Sequence, residues 1–118
     1  MRLALALTLG LAACGTTIHQ IPTNSPPHAL APRPPETVEV FTATPPPRPY
    51  VEIAFFEAQP ASQLSFDDAN AVFAKLRAQA AETGCDGLII TGPSDRVVGD
   101  RHQVDTLHGF AGTCIVYR

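Results

Sequence analysis

Proline is the residue that most limits what this chain can fold into. All of its twelve prolines except Pro60 and Pro93 lie between Pro22 and Pro49, and each removes a backbone donor and fixes φ. After Gly15 the sequence TTIHQIPTNSPPHALAPRPP has no repeating apolar period and cannot bury a core of its own, so residues 14–35 read as a disordered tether. In polyproline II, at ~3.1 Å per residue, such a segment would reach at most ~65 Å. His19 and His28 fall in it and read as solvated linker histidines rather than a metal pair. Residues 36–118 remain for a domain. About eighty residues suffice for one modest core, in a size range where a covalent staple often supplies the missing stability.

Within that domain the local patterns are clearer. Residues 36–42 (ETVEVFT) are rich in β-formers and predict a first strand, and Pro45–Pro49 predicts a turn or extended loop. Tyr50–Glu57 predicts a second strand, with Val51, Ile53 and Phe55 on one face and Glu52, Ala54 and Phe56 on the other. Ser65-Phe66-Asp67-Asp68 matches a capping box at the start of a helix. Ala69, Val72, Phe73, Leu76 and Ala80 form its apolar stripe, and Gly84 supplies a left-handed stop. Gly87–Thr91 reads as a buried strand ended by Gly92-Pro93, and residues 93–105 as a long loop or a frayed hairpin. Thr106–Tyr117 reads as a last strand, with Gly109 and Gly112 hinting at a bulge. The predicted order is β-β-α-β-(β)-β: an α+β fold with a small mixed or antiparallel sheet and one helix packed on a face.

The N-terminus points to export. Met1-Arg2 is followed by a short apolar run, Leu3–Leu11, and by the small-residue site Leu11-Ala12-Ala13-Cys14, the layout of a cleavable signal whose apolar run falls well short of the ~20 residues a transmembrane helix needs. The LAAC sequence resembles the lipobox of bacterial lipoproteins. That resemblance implies removal of residues 1–13 and acylation of Cys14 with diacylglyceryl and palmitate-like chains, which together anchor a protein stably. It also implies an extracytoplasmic domain facing the periplasm, and Gly15 in place of Asp leans toward the outer membrane. Loss of Arg2 leaves seven Lys and Arg against eleven Asp and Glu, a formal balance of minus four. No basic stripe suited to nucleic acid is present in the sequence. The strand, Pro-rich turn, strand, helix ending in Gly-Cys-Asp-Gly-Leu-Ile-Ile and Cys-containing last strand are similar to small envelope lipoproteins. More distantly they resemble the stress-sensing outer-membrane lipoprotein of the Rcs phosphorelay, which carries four domain cysteines where this chain has two.

Cys85 and Cys114 are the only thiols left once Cys14 is acylated, and an even pair in an oxidising compartment predicts a disulfide. Closing a loop of about thirty residues would contribute roughly 3.5 kcal/mol. Two alternatives stay open: a pair of buried free cysteines, or a zinc, copper or redox site using Cys85, Cys114, His102 and His108. The chain has no G-x-S-x-G elbow, phosphate-cradling glycine loop or H-E-x-x-H helix. The expectation is therefore a non-enzymatic module without a cofactor or bound metal, tethered to a membrane and contacting an envelope protein as sensor or assembly accessory. The candidate interaction loop comprises Asp95, Arg96, Asp100, Arg101 and His102. The competing expectation is a metal-binding or thiol-redox lipoprotein; an envelope hydrolase is a third, which would need a pocket of perturbed acids.

Overall fold

The computed structural model describes residues 16–60, 69–99, 101–102 and 104–118. Along the chain these form β1 (Thr16–Pro22), a 3-10 turn (Pro35–Thr37), β2 (Glu39–Phe41), β3 (Tyr50–Pro60), α1 (Ala69–Thr83), β4 (Gly87–Gly99) and β5 (Val104–Tyr117). The strands make one five-stranded mixed sheet in the order β1-β3-β5-β4-β2. Its neighbours are antiparallel except β2 and β4, which are parallel. β3 and β4 both oppose β5, so β3-α1-β4 is a split β-α-β crossover with β5 filling its middle. The α+β fold expected from the patterning is the fold observed.

α1 buries Val72, Leu76, Ala80 and Ala81 against Ala54, Phe56 and Ala58 of β3, Leu88 of β4, and Cys114 and Val116 of β5. Phe73 is half-buried and lies 4.6 Å from Phe110, ring centre to ring centre, whereas Ala69, at the head of the predicted stripe, is exposed. The helix ends as its glycine dictates. Gly84 has φ +92°; its N–H donates to Ala81 O at 3.1 Å, and Cys85 N–H donates to Ala80 O at 2.9 Å, the paired bonds of a Schellman motif. The predicted capping box, Ser65 to Asp68, lies outside the described residues.

Several local expectations are corrected. A register shift between Glu52 and Ala54 sets Val51 in the row of Val116 and Ala54 in the row of Cys114, so the bulge at Ile53 brings Val51 to the helix side while Phe55 shares the opposite face with Thr113. The first predicted strand is only Glu39–Phe41, because Pro34-Pro35 winds a 3-10 turn stitched by Thr37 Oγ1 donating to Pro34 O at 2.6 Å. β4 does not stop at Gly92-Pro93. It bulges between Ile90 and Gly92 and continues to Gly99, and proline's missing donor is tolerated because β4 has by then run past β2 and become an edge. The bulge thus falls on β4 rather than at Gly109 or Gly112. Gly112 instead makes room for Leu88, whose Cδ1 a Cβ at that position would meet at 2.9 Å.

The largest correction concerns residues 14–35. Thr16–Pro22 is not a disordered tether; it pairs with β3 from Thr16↔Pro60 to Pro22↔Ala54. The following prolines form an ordered strap that passes the C-terminal end of α1 to reach β2 on the far edge of the sheet. Thr23 N–H donates to Ile53 O at 3.0 Å, Asn24 Nδ2 donates to Glu52 O at 2.7 Å, and Arg33 N–H donates to Ala81 O at 3.0 Å. The first two bonds occupy carbonyls at the β3 bulge, and the third gives Ala81 O, which already accepts from Gly84, a second donor at the last helical turn. Leu30 and Ala31 lie so close to Gly84 that a Cβ there would meet Ala31 O at 2.8 Å.

Candidate functional site

β2 covers β4 only as far as Phe41↔Ile89. Among the described residues nothing pairs with that edge of β4 from Ile90 onward, and a groove of about 570 Å³ opens beside it, between α1 and the sheet. Val40, Leu88 and Ile90 form its floor, Asn70, Phe73, Ala74 and Arg77 of α1 its wall, and Pro35 and Glu36 close one end. The helical spacing of Asn70, Phe73, Ala74 and Arg77 places all four on one flank of α1.

Arg77 is held rigidly at this groove. Its Nε donates to Val38 O at 3.1 Å, and its Nη2 donates to Val38 O at 2.8 Å and Glu36 O at 3.2 Å. The guanidinium thereby pins the end of the strap to the helix and leaves a cation beside the carboxylate-bearing Glu36. The lining offers apolar contact with one charge of each sign at its mouth, the chemistry of a recognition groove.

A second polar cluster lies at the opposite end of α1. Asp86 accepts from Arg33 Nη1 at 2.6 Å through Oδ1 and from the Tyr117 N–H at 2.9 Å through Oδ2. Arg33 also donates from Nε to Thr37 Oγ1 at 2.8 Å and from Nη2 to Thr37 O at 3.0 Å. The Arg48 guanidinium stacks 4.4 Å from the Tyr117 ring centre, and Tyr117 Oη donates to Glu39 Oε2 at 3.5 Å. Burial first, and the Glu39 carboxylate second, push the Tyr117 hydroxyl above its ordinary pKa, with Arg48 pulling the other way. Nothing in the sequence marked this cluster, since Arg33, Arg48, Asp86 and Tyr117 come from four separate segments.

Of the residues singled out from the sequence, Cys85 and Cys114 are brought together. They form a disulfide with Cα atoms 5.6 Å apart, and both are fully buried. Of the two alternatives for the candidate interaction loop, the hairpin is the one observed: Asp95 pairs with His108 and Arg96 with Leu107, and the ladder runs to Gly99↔Val104. Arg101 and His102 are exposed at the bend between the strands, and Asp100 lies outside the described residues. Cys14 and the leader, residues 1–13, also lie outside them. His19 stands on β1 opposite Glu57, and His28 Nδ1 is 3.1 Å from Ala29 O. Among the described residues no group of three or more His, Cys, Asp and Glu gathers as a metal site. No described helix is long and apolar enough to cross a membrane.

No family model matches the chain, and no curated protein matches it. Among solved structures, a crystal structure of the Francisella virulence factor FvfA in its orthorhombic form superimposes with a TM-score of 0.43 at 15% sequence identity. The match covers 81% of this chain and 96% of that one.

Proposed function

We propose that the chain is a lipid-anchored envelope lipoprotein whose small α+β domain is a non-enzymatic contact module, held on the periplasmic side of a bacterial membrane, the outer membrane in the first instance. The observation that carries this reading is Leu11-Ala12-Ala13-Cys14 at the end of a charged and then apolar leader. The Cys85–Cys114 disulfide agrees with an oxidising compartment. The contact surface in this reading is the groove under α1. Its apolar floor lies beside the edge of β4 that no described residue pairs with, an arrangement that accepts an extended segment of a partner protein by strand addition, with its side chains seated between Phe73 and Ile90.

The competing reading, a metal-binding or thiol-redox lipoprotein, requires a thiolate. Cys85 and Cys114 are bonded to each other and have no exposed surface, which weighs against it.

Two measurements test the proposal. The N-terminal peptide of the protein isolated from its native envelope is expected to begin at Cys14 and to carry a diacylglyceryl group; a mature terminus elsewhere, or an unmodified Cys14, would overturn the anchor. A photo-crosslinker at Ala74, an exposed groove position, is expected to capture one discrete envelope protein that a crosslinker at the exposed Glu82 does not. Identical products from both sites would remove the groove from the reading.

A further inference from the structure

The β4–β5 hairpin and the start of β1 project from the same end of the sheet. Thr16 pairs with Pro60. Ala58 pairs with Phe110, so the level of Thr16 and Pro60 corresponds to the row Asp95↔His108. Four more rows, Arg96↔Leu107 to Gly99↔Val104, carry the paired hairpin roughly 14 Å beyond that level at ~3.4 Å per residue, before the bend is added. Cys14 precedes Thr16 by two residues, a link that spans at most ~7 Å. The hairpin therefore reaches about twice as far past the head of β1 as the chain to Cys14 can.

We infer that the β4–β5 hairpin is a membrane-docking surface, lying in the phospholipid headgroup layer beside the acylated Cys14; this rests on the lipoprotein reading above. The reverse orientation fails on length. From His108 to Arg118, β5 and its end run roughly 34 Å toward the opposite pole at ~3.4 Å per residue, and inverting the domain on so short a link would drive that pole into the bilayer. With strands along the membrane normal, the bend bearing Arg101 and His102 would pass through a headgroup layer only ~6 Å deep into hydrocarbon, where charged groups are costly. The strands consequently lean from the normal until the flank of the hairpin rests among the headgroups. Two exposed residues of the hairpin suit an interface: Val97 on β4 is 68% exposed and offers an apolar side chain, and Arg101, exposed at the bend, offers a cation that can meet lipid phosphate.

The test uses the full, acylated protein in vesicles of phosphatidylethanolamine and phosphatidylglycerol that carry a headgroup-linked energy acceptor. Single fluorophores are placed through Val97→Cys or Arg118→Cys, the second at the far pole of the sheet. Transfer from position 97 is expected to exceed that from position 118 several-fold, and a ten-residue Gly/Ser insert between Gly15 and Thr16 is expected to reduce it. Equal transfer from both positions in vesicle-bound protein would overturn the hairpin's role and leave the anchor standing. Protein that carries no lipid and does not bind vesicles would overturn the anchor and the inference with it.

Discussion

Arg33 and Asp86 form an ion pair of 2.6 Å that closes the Pro-rich strap onto the turn between α1 and β4, with about 30% of each side chain exposed. Both partners hold further bonds. Arg33 reaches Thr37 through Nε and Nη2, and Asp86 receives the Tyr117 N–H. Three parts of the chain distant in sequence are thus tied through two side chains.

Replacing Arg33 should therefore cost more than a surface ion pair does. Arg33→Ala is expected to lower unfolding free energy by about 1–2 kcal/mol, between an exposed pair and a buried charged hydrogen bond. Arg33→Lys should recover little of it, since one ammonium cannot reproduce a three-nitrogen fork. Urea denaturation checks this: the midpoint should fall with an unchanged slope.

β1 is expected to behave as folded structure rather than as a leash. Amides of β1 that bond to β3 should exchange with solvent far more slowly than an unstructured peptide would, with Ile18 among the well-protected positions because it packs on the core. Hydrogen exchange followed by mass spectrometry over residues 16–22 reads this directly. Random-coil rates there would dissolve both the strand and the short link between anchor and domain.

The disulfide should be inert until the protein unfolds. Intact mass after alkylation under native, non-reducing conditions is expected to show no free thiol at Cys85 or Cys114, both fully buried. The bond spans a sequence separation of 29, and a Cys85→Ala, Cys114→Ala variant should lose about 3.5 kcal/mol from loop-closure entropy, a large part of the stability of so small a domain. A stability change near zero would mean that the unfolded chain, even without the bond, already holds the two segments near each other.

Alkaline pH should weaken the fold through Tyr117. Its hydroxyl pKa is raised in the folded state from the ordinary value of 10.0, so the unfolded chain loses this proton first. The associated stabilisation is whole below pH 10 and is lost as pH climbs through the folded-state value. In a Tyr50→Phe background, phenolate absorbance should report Tyr117 alone with a midpoint above 10.0. Glu39→Gln should bring that midpoint down by removing the adjacent negative charge.

The sequence by itself determined the elements whose stability is local. The stripe Val72, Leu76, Ala80 repeats with the helical period, Gly84 supplies a conformation other residues resist, and the short apolar cores of Gly87–Thr91 and Thr113–Tyr117 have the length and composition of buried strands. The pairing of Cys85 with Cys114 was legible for a different reason, since once the lipobox reading sets Cys14 aside, the two remaining cysteines permit a single bond. Tertiary structure alone decided the strap, β1, the groove, and the choice of hairpin over loop after Pro93. Thr16–Pro22 is mostly exposed and carries no pattern; it is a strand because β3 presents an edge of backbone groups to it, and a partner's backbone leaves no trace in the residues that bind it. The polar stretch after Pro93 is a hairpin because β5 continues past the core and holds it in register. The groove exists because β2 stops after three residues while β4 and α1 run on, a mismatch of lengths among segments that meet only when the chain is folded.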